Sequence, residues 1–231
     1  SAPDVKNVLE VPINFEKDKL SDKILKELGL QSRVHKMPEW SKKIKKFLSI
    51  KKTVKIGIVG KYFASGDFIL PDAYISVIEA IKQASFASGV VAEISWIDSD
   101  MYEKNPSQVR ELDKYQGIIV PGGFGKRGIE GKIRAIRYAR EKGIPFLGLC
   151  YGMQLASIEF ARNVCGMKNA NTTEVDPDTK FPIIHIMQKQ AELLKNKQYG
   201  NTMRLGAWPC VLDSQSKSFK AYKTRKISER H

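Results

Sequence analysis

The sequence predicts an α/β fold: an open, mostly parallel sheet with helices on both faces. Three observations predict it. From Val54 onward, short apolar runs alternate with longer stretches whose apolar residues recur at helical spacing, the pattern of parallel strands joined by crossover helices. The fourth such run, Phe146 to Leu149, passes through Gly148-Leu-Cys150-Tyr-Gly152 into another helical stretch, the form of a nucleophile elbow. The third run ends in a glycine-rich loop, Pro121-Gly-Gly-Phe-Gly-Lys-Arg-Gly128, and ligands of such sheets gather at the carboxyl ends of strands.

Taken in order, Asn7 to Phe15 reads as extended and interrupted by Pro12. Ser21 reads as the N-cap of a helix over 22–28, with Gly29 as its stop. These pieces are too small to bury a core, so residues 1–37 are expected to belong to another domain's edge or to dock on the main one. Residues 38–53 follow as a helical linker. Lys42, Lys43, Lys45, Lys46, Lys51 and Lys52 lie in it, while Trp40, Ile44, Phe47 and Leu48 share one face. Packing by that face, with the lysines in solvent, is the expectation; a polyanion-binding segment is the alternative.

The main domain, 54–231, opens with a buried strand, Val54 to Gly60, and a helix, Asp72 to Ala87, with Ile75, Val77, Ile78 and Ile81 inward. Val90 to Ile97 is a second strand, followed by a short helix near Ser107 to Leu112. Tyr115 to Pro121 is a third strand, Ile129 to Lys142 a helix, and Phe146 to Leu149 the strand that enters the elbow. A helix from Gly152 to about Val164 comes next. Phe181 to Met187 and Met203 to Leu212 read as later strands joined by a polar, Lys-rich loop, with His185 read as core.

Bulk composition points to the cytoplasm. Cys150, Cys165 and Cys210 cannot all pair and form no disulfide framework. The N-terminus lacks a signal-peptide core, and no apolar run is long enough to cross a bilayer. The net charge of +14, from 39 basic and 25 acidic residues, suits nucleic acid, an anionic membrane or nucleotide phosphates. No zinc-finger, RNA-recognition or helix-turn-helix signature accompanies it, so neither a nucleic-acid nor a membrane partner is expected, and no metal site.

Cys150 is the candidate nucleophile. At the apex of the elbow its sulfur faces the N-terminus of the following helix, whose dipole favours thiolate. A buried structural cysteine is the alternative. A thiolate attacking a carbonyl needs an oxyanion hole, and the backbone N–H of Tyr151 supplies one donor. Gly122 and Gly123 let a second N–H approach a small substrate. A phosphate-binding loop is the rival for this segment, but the Walker spacing is missing.

With those residues in place, the sequence resembles the class I glutamine amidotransferases. Cys-Tyr-Gly-Met-Gln154 also suits the amidotransferase of GMP synthetase. Pro121-Gly-Gly-Phe-Gly-Lys-Arg-Gly-Ile-Glu-Gly131, Asn169-Ala-Asn-Thr-Thr-Glu174 and Thr202-Met-Arg-Leu-Gly206 are instead similar to the CTP synthase family. Ile227-Ser-Glu-Arg-His231 matches a further segment of that family, and Ser1 to Leu30 is similar to the tail of its synthetase domain.

The resemblance implies a domain that hydrolyses glutamine to glutamate and ammonia. A synthetase domain of the same polypeptide would use the ammonia to aminate UTP to CTP, with ATP and Mg2+, GTP as allosteric activator, and a homotetramer as the whole enzyme. Position by position it implies Cys150 as nucleophile, Gly123 and Tyr151 at the oxyanion, and Gln154 and Glu174 holding glutamine. It places Phe124, Arg127, Thr202 and Arg204 at a lid and the response to GTP. Tyr151 departs from the family's usual leucine, which should alter packing and leave the backbone donor intact.

The family's histidine and glutamate come from a His-Pro-Glu motif, and none of His35, His185 or His231 is followed by Pro-Glu. The chain is therefore expected to be C-terminally incomplete and to show little or no glutaminase turnover; its start on Ser1 rather than methionine reads separately as the mark of a fragment or a processed chain. Two other readings stay open: a non-catalytic regulatory module, and a cysteine hydrolase using His185.

Overall fold

The computed structural model describes residues 4–5, 7–31, 37–61, 64–65, 68–69, 74–123, 126–187, 192 and 206–230. The chain divides into two compact units, Ser1–Phe160 and Ala161–His231.

The first unit begins with helices. After a 3-10 turn, Val8–Glu10, come α1 (Val11–Lys17) and α2 (Leu20–Glu27), so the expected extended segment is helical. Asn7 starts it by accepting from the Leu9 N–H (3.0 Å). Pro12 falls in the first helical turn, where a missing N–H costs nothing because that group has no intrahelical partner. Ser21 lies inside α2 and is not its cap; Lys19 holds that place at φ 51°. Gly29 does end the helix at φ 65°, with Leu30 N–H donating to Leu25 O (2.8 Å). In α3 (Met37–Leu48) Ile44 is buried and Leu48 is exposed. Trp40 Nε1 donates to Leu9 O (3.0 Å), tying the start of the chain to this helix.

The core is a four-stranded sheet of β1 (Thr53–Gly60), β4 (Val91–Asp98), β5 (Gly117–Val120) and β6 (Phe146–Gly148) in the order β4-β1-β5-β6, every pair parallel. A two-stranded ribbon, β2 (Ala64–Ser65) with β3 (Phe68–Ile69), follows β1. The second core strand thus lies on one side of β1 and the third and fourth on the other, which is the doubly wound order with a switch point between β1 and β5. Helices α4 (Ile75–Ala87), α5 (Ser99–Lys104), α6 (Ile129–Lys142) and α7 (Tyr151–Asn163), with a 3-10 helix at Pro106–Lys114, cover the sheet on both faces.

Val77 and Ile81 of α4 pack with Tyr74 on Ile58, Ile94 and Trp96. Ile75, expected inward, is exposed: it lies about 100° around the helix from Tyr74, off that stripe. The sequence reading missed α5, which Asp98 starts by accepting from the Asp100 N–H (2.9 Å). It placed α6 correctly to the residue.

In the second unit, β7 (Asn171–Thr172) pairs in parallel with β8 (Pro182–Ile184), and β9 (Ala207–Val211) antiparallel with β10 (Lys226–Arg230). Between the last two runs α8 (Lys217–Tyr222), which Ser216 caps through Phe219 N–H (3.0 Å). His185 is exposed, not core. Alternation along this segment turns Ile184 and Ile186 inward and His185 and Met187 outward.

Among the described residues no helix is long and apolar enough to cross a membrane.

Candidate active site

The elbow is built where β6 stops. Leu149 N–H donates to Val120 O (2.9 Å), keeping the chain on the ladder one residue past the strand. Cys150 then takes φ 52°, a left-handed conformation that costs a non-glycine residue about 1–2 kcal/mol. The turn closes at once. Gly152 N–H donates to Leu149 O (2.9 Å), and the N–H groups of Met153 and Gln154 both return to Cys150 O (3.1 and 3.2 Å). Cys150 is exposed at this apex, which removes the alternative of a buried structural cysteine.

Crowding accounts for the flanking glycines. A Cβ on Gly148 would lie 2.7 Å from the Gly152 carbonyl carbon and oxygen and from Met153 N. On Gly152 it would overlap the Val120 carbonyl. All of these neighbours are backbone, so no side chain can swing aside.

The loop after β5 meets the elbow. The open side of Gly122 faces Cys150, a Cβ there lying 3.5 Å from Cys150 Cβ and 3.8 Å from Sγ. The Tyr74 hydroxyl donates to Gly122 O (3.4 Å). That carbonyl shares a trans peptide with Gly123 N–H, so the hydrogen bond fixes the peptide plane and sends the Gly123 N–H away from Tyr74. Tyr151 follows Cys150 with 2% of its surface exposed. Lys132 of α6 stands over its ring, Nζ 6.0 Å from the centre. Burial, reinforced by the like charge of Lys61, pushes the Lys132 ammonium down to about 8.

The first unit therefore brings together Cys150, Tyr151, the half-buried Gln154 and the Gly122–Gly123 loop. Glu174 belongs to the second unit, exposed in the turn after β7, where its N–H donates to Thr172 Oγ1 (3.2 Å). Arg127 is exposed and ion-paired with Asp100 (2.5 Å). Phe124, Thr202, Arg204, His35 and His231 lie outside the described residues.

Tyr74 and Lys132 were missed by sequence reasoning. For Lys132 a signal existed: it sits among Ile129, Ile133, Ile136 and Ala139 on the apolar stripe of α6, where a lysine is out of place. Tyr74 carried no such mark.

Residues 69–229 match the family described as glutamine amidotransferase class-I. CTP synthase of Carboxydothermus hydrogenoformans is 46% identical over 230 residues, covering 100% of this chain and 41% of that protein. CTP synthase of Pyrococcus abyssi is 45% identical over 231 residues, with the same coverage of 100% and 41%. The chain thus spans about two-fifths of the length of these relatives. Among solved structures, the glutaminase domain of Trypanosoma brucei CTPS with bound acivicin superposes with a TM-score of 0.64 at 35% identity, over 77% of this chain and 66% of that one. With an elbow at Cys150, a parallel doubly wound sheet and a matched segment that spans both, the chain belongs to the class I glutamine amidotransferase family.

Proposed function

We propose that this chain is the glutamine-hydrolysing part of a CTP synthase, working through Cys150. The thiolate attacks the carboxamide carbon of glutamine. The C–N bond breaks, the nitrogen leaves as ammonia with the proton the thiol gave up, and water hydrolyses the thioester to glutamate. The N–H groups of Gly123 and Tyr151 donate to the developing oxyanion. Gln154 and Glu174 hold the amino-acid end, an amide offering donors and acceptors and a carboxylate suiting the ammonium. The observation that carries this reading is Cys150 at φ 52° with Gly122 against its Sγ. A strained, exposed cysteine facing a bare backbone leaves room for a planar amide and donors to meet it.

On this reading a general base carries the proton to the leaving nitrogen. The 231 residues contain no His-Pro-Glu sequence, and His185 is exposed in the second unit. In the whole protein, ammonia would pass to a synthetase domain that aminates UTP with ATP and Mg2+, under GTP activation and as a homotetramer, in the cytoplasm. Residues 1–37 would be the tail of that domain, 38–53 a linker and 54–231 the amidotransferase part. Phe124, Arg127, Thr202 and Arg204 would serve the lid and the response to GTP.

The Trypanosoma brucei relative is described with acivicin bound, and the same compound is the probe here. Incubation followed by peptide mass spectrometry is expected to place one adduct on Cys150 and to lose it when glutamine is added. Equal labelling of Cys165 and Cys210, or labelling that glutamine leaves untouched, would sink the reading. Steady-state glutamate release by the 231-residue chain is expected to be at or near background.

A further inference from the structure

The Lys-rich segment, which glutamine hydrolysis leaves without a role, borders a pocket of about 660 Å³. The pocket opens where α3 and α4 end, at the amino ends of β1 and β4, which Val91 N–H joins by donating to Lys52 O (2.8 Å). Every pair in the sheet is parallel, and Cys150 follows the carboxyl end of β6. The pocket is therefore a strand length away from the elbow, about 25 Å for the eight residues of β1. Its volume falls in the range of small-molecule sites.

Lys43, Lys46, Lys51 and Lys52 line it, and no acidic side chain does. All four are exposed, and none has an ion-pair partner among the described residues. On α4 the carboxylate of Glu79 is taken by Lys82 (2.6 Å). Nor are the lysines needed to finish the two helices, whose last carbonyls are met by backbone N–H groups. Ser49 N–H donates to Lys45 O (3.2 Å) and Lys46 O (3.3 Å), and Ile50 N–H to Phe47 O (3.0 Å). At the end of α4, Ser88, Gly89 and Val90 donate to the carbonyls of Ala84 (3.0 Å), Phe86 (3.2 Å) and Ser85 (3.0 Å).

Four like charges around one cavity repel each other, and an anion placed among them reverses the sign of that interaction. The floor is of another kind. Phe86 and Ala87 line it, and Phe47 meets the Phe86 ring edge to face, with centroids 4.7 Å apart. A ligand that suits both parts carries several negative charges on one end and a flat apolar body on the other.

We propose that this pocket binds a nucleoside triphosphate, with the phosphates against the four lysines and the base against Phe86. A lysine meets a phosphate as a point charge, and an aromatic ring stacks on any base, so the site selects for the triphosphate rather than for one base. Arg127, one of the residues expected to answer GTP, lies after β5 at the other end of the sheet. The proposal stands whether or not Cys150 is the nucleophile.

The test is isothermal titration calorimetry of the 231-residue chain with ATP, inorganic triphosphate and adenosine at low ionic strength. One saturable site for ATP is expected. Inorganic triphosphate should bind at least about 5-fold more weakly for want of the base, and adenosine should give no measurable heat. Lys46→Glu combined with Lys51→Glu should weaken ATP at least about 10-fold. Lys217→Glu combined with Lys220→Glu, at exposed positions of α8, changes the net charge equally and should leave the affinity within about 2-fold. Thermal melting run alongside reports whether each variant is folded, and the comparison of ATP with triphosphate needs no variant. Absence of saturable ATP binding overturns the proposal. So do equal losses in the two lysine pairs, the mark of attraction to overall charge, and triphosphate bound as tightly as ATP.

Discussion

The carbonyl of Val120 occupies the space into which a Cβ on Gly152 would project. Strand β5 and the first turn of α7 are thus in backbone contact, with Leu149 N–H bonded to the same carbonyl (2.9 Å). Gly152→Ala must push the two apart, and the cost is expected to exceed about 3 kcal/mol. A denaturation midpoint and acivicin labelling of Cys150, measured together, check it: stability should fall and labelling should be lost. A variant with parent stability would mean that this contact is looser than described.

Position 150 should reverse the usual ranking of alanine over glycine. Cys150→Ala keeps a Cβ at φ 52°, whereas Cys150→Gly removes the steric cost of that conformation. Allowing for glycine's larger unfolded-state entropy, the glycine variant is expected to be more stable by about 1 kcal/mol. Differential scanning calorimetry of the two variants decides it; an alanine variant equal to or above the glycine variant would contradict a strained apex.

Lys132 should give stability a signature in alkaline solution. Its folded pKa is about 8 against an ordinary 10.5. Below pH 8 both states hold the proton, and the folded state bears the full cost of burying it. Between 8 and 10.5 only the unfolded state keeps it, so stability rises with pH. The cost, on the order of 3 kcal/mol, is gone above 10.5. Lys132→Met should therefore be more stable than the parent below pH 8, with the difference shrinking toward pH 10.5. Urea denaturation at pH 7, 8, 9 and 10 measures it, and a constant difference would show that the ammonium is not desolvated.

Arg140 and Glu159 join α6 to α7 by a two-pronged contact, Nη2 to Oε1 at 2.8 Å and Nε to Oε2 at 3.0 Å. Glu159 is 1% exposed and Arg140 about a third exposed. Arg140→Ala leaves a buried carboxylate without this partner and is expected to cost about 2–3 kcal/mol, below the range for fully buried pairs because Arg140 reaches solvent. Adding Glu159→Leu should recover most of the loss. A double-mutant cycle by chemical denaturation checks it, and additive losses would show that the pair is not coupled.

The parallel core was legible because its signals are local. Val54 to Gly60, Ile129 to Lys142 and the Gly148–Gly152 elbow each show their period or turn within a dozen residues, and the structure follows them closely. Errors arose where an element depends on what lies beside it. The segment after Asn7 contains a proline and reads as extended, yet Pro12 falls in the one turn of a helix that tolerates it. His185 sits in an apolar run, but alternation turns it outward at the end of a three-residue strand. In the site, Cys150 and the glycine loop could be read from chemistry carried by type and spacing. The contacts of Tyr74 with Gly122 and of Lys132 with Tyr151 join residues 48 and 19 positions apart, and no local pattern announces them.

The order β4-β1-β5-β6 has a consequence for how such a protein can change over time. Where winding reverses between β1 and β5, the connections leave the sheet in opposite directions and a crevice opens at the strand ends. Its location is a property of the winding, not of the side chains that line it. Those side chains can drift one at a time without closing the crevice. Selection is then concentrated on the few positions where backbone meets backbone, such as Gly148 and Gly152, and on the thiol they hold in place.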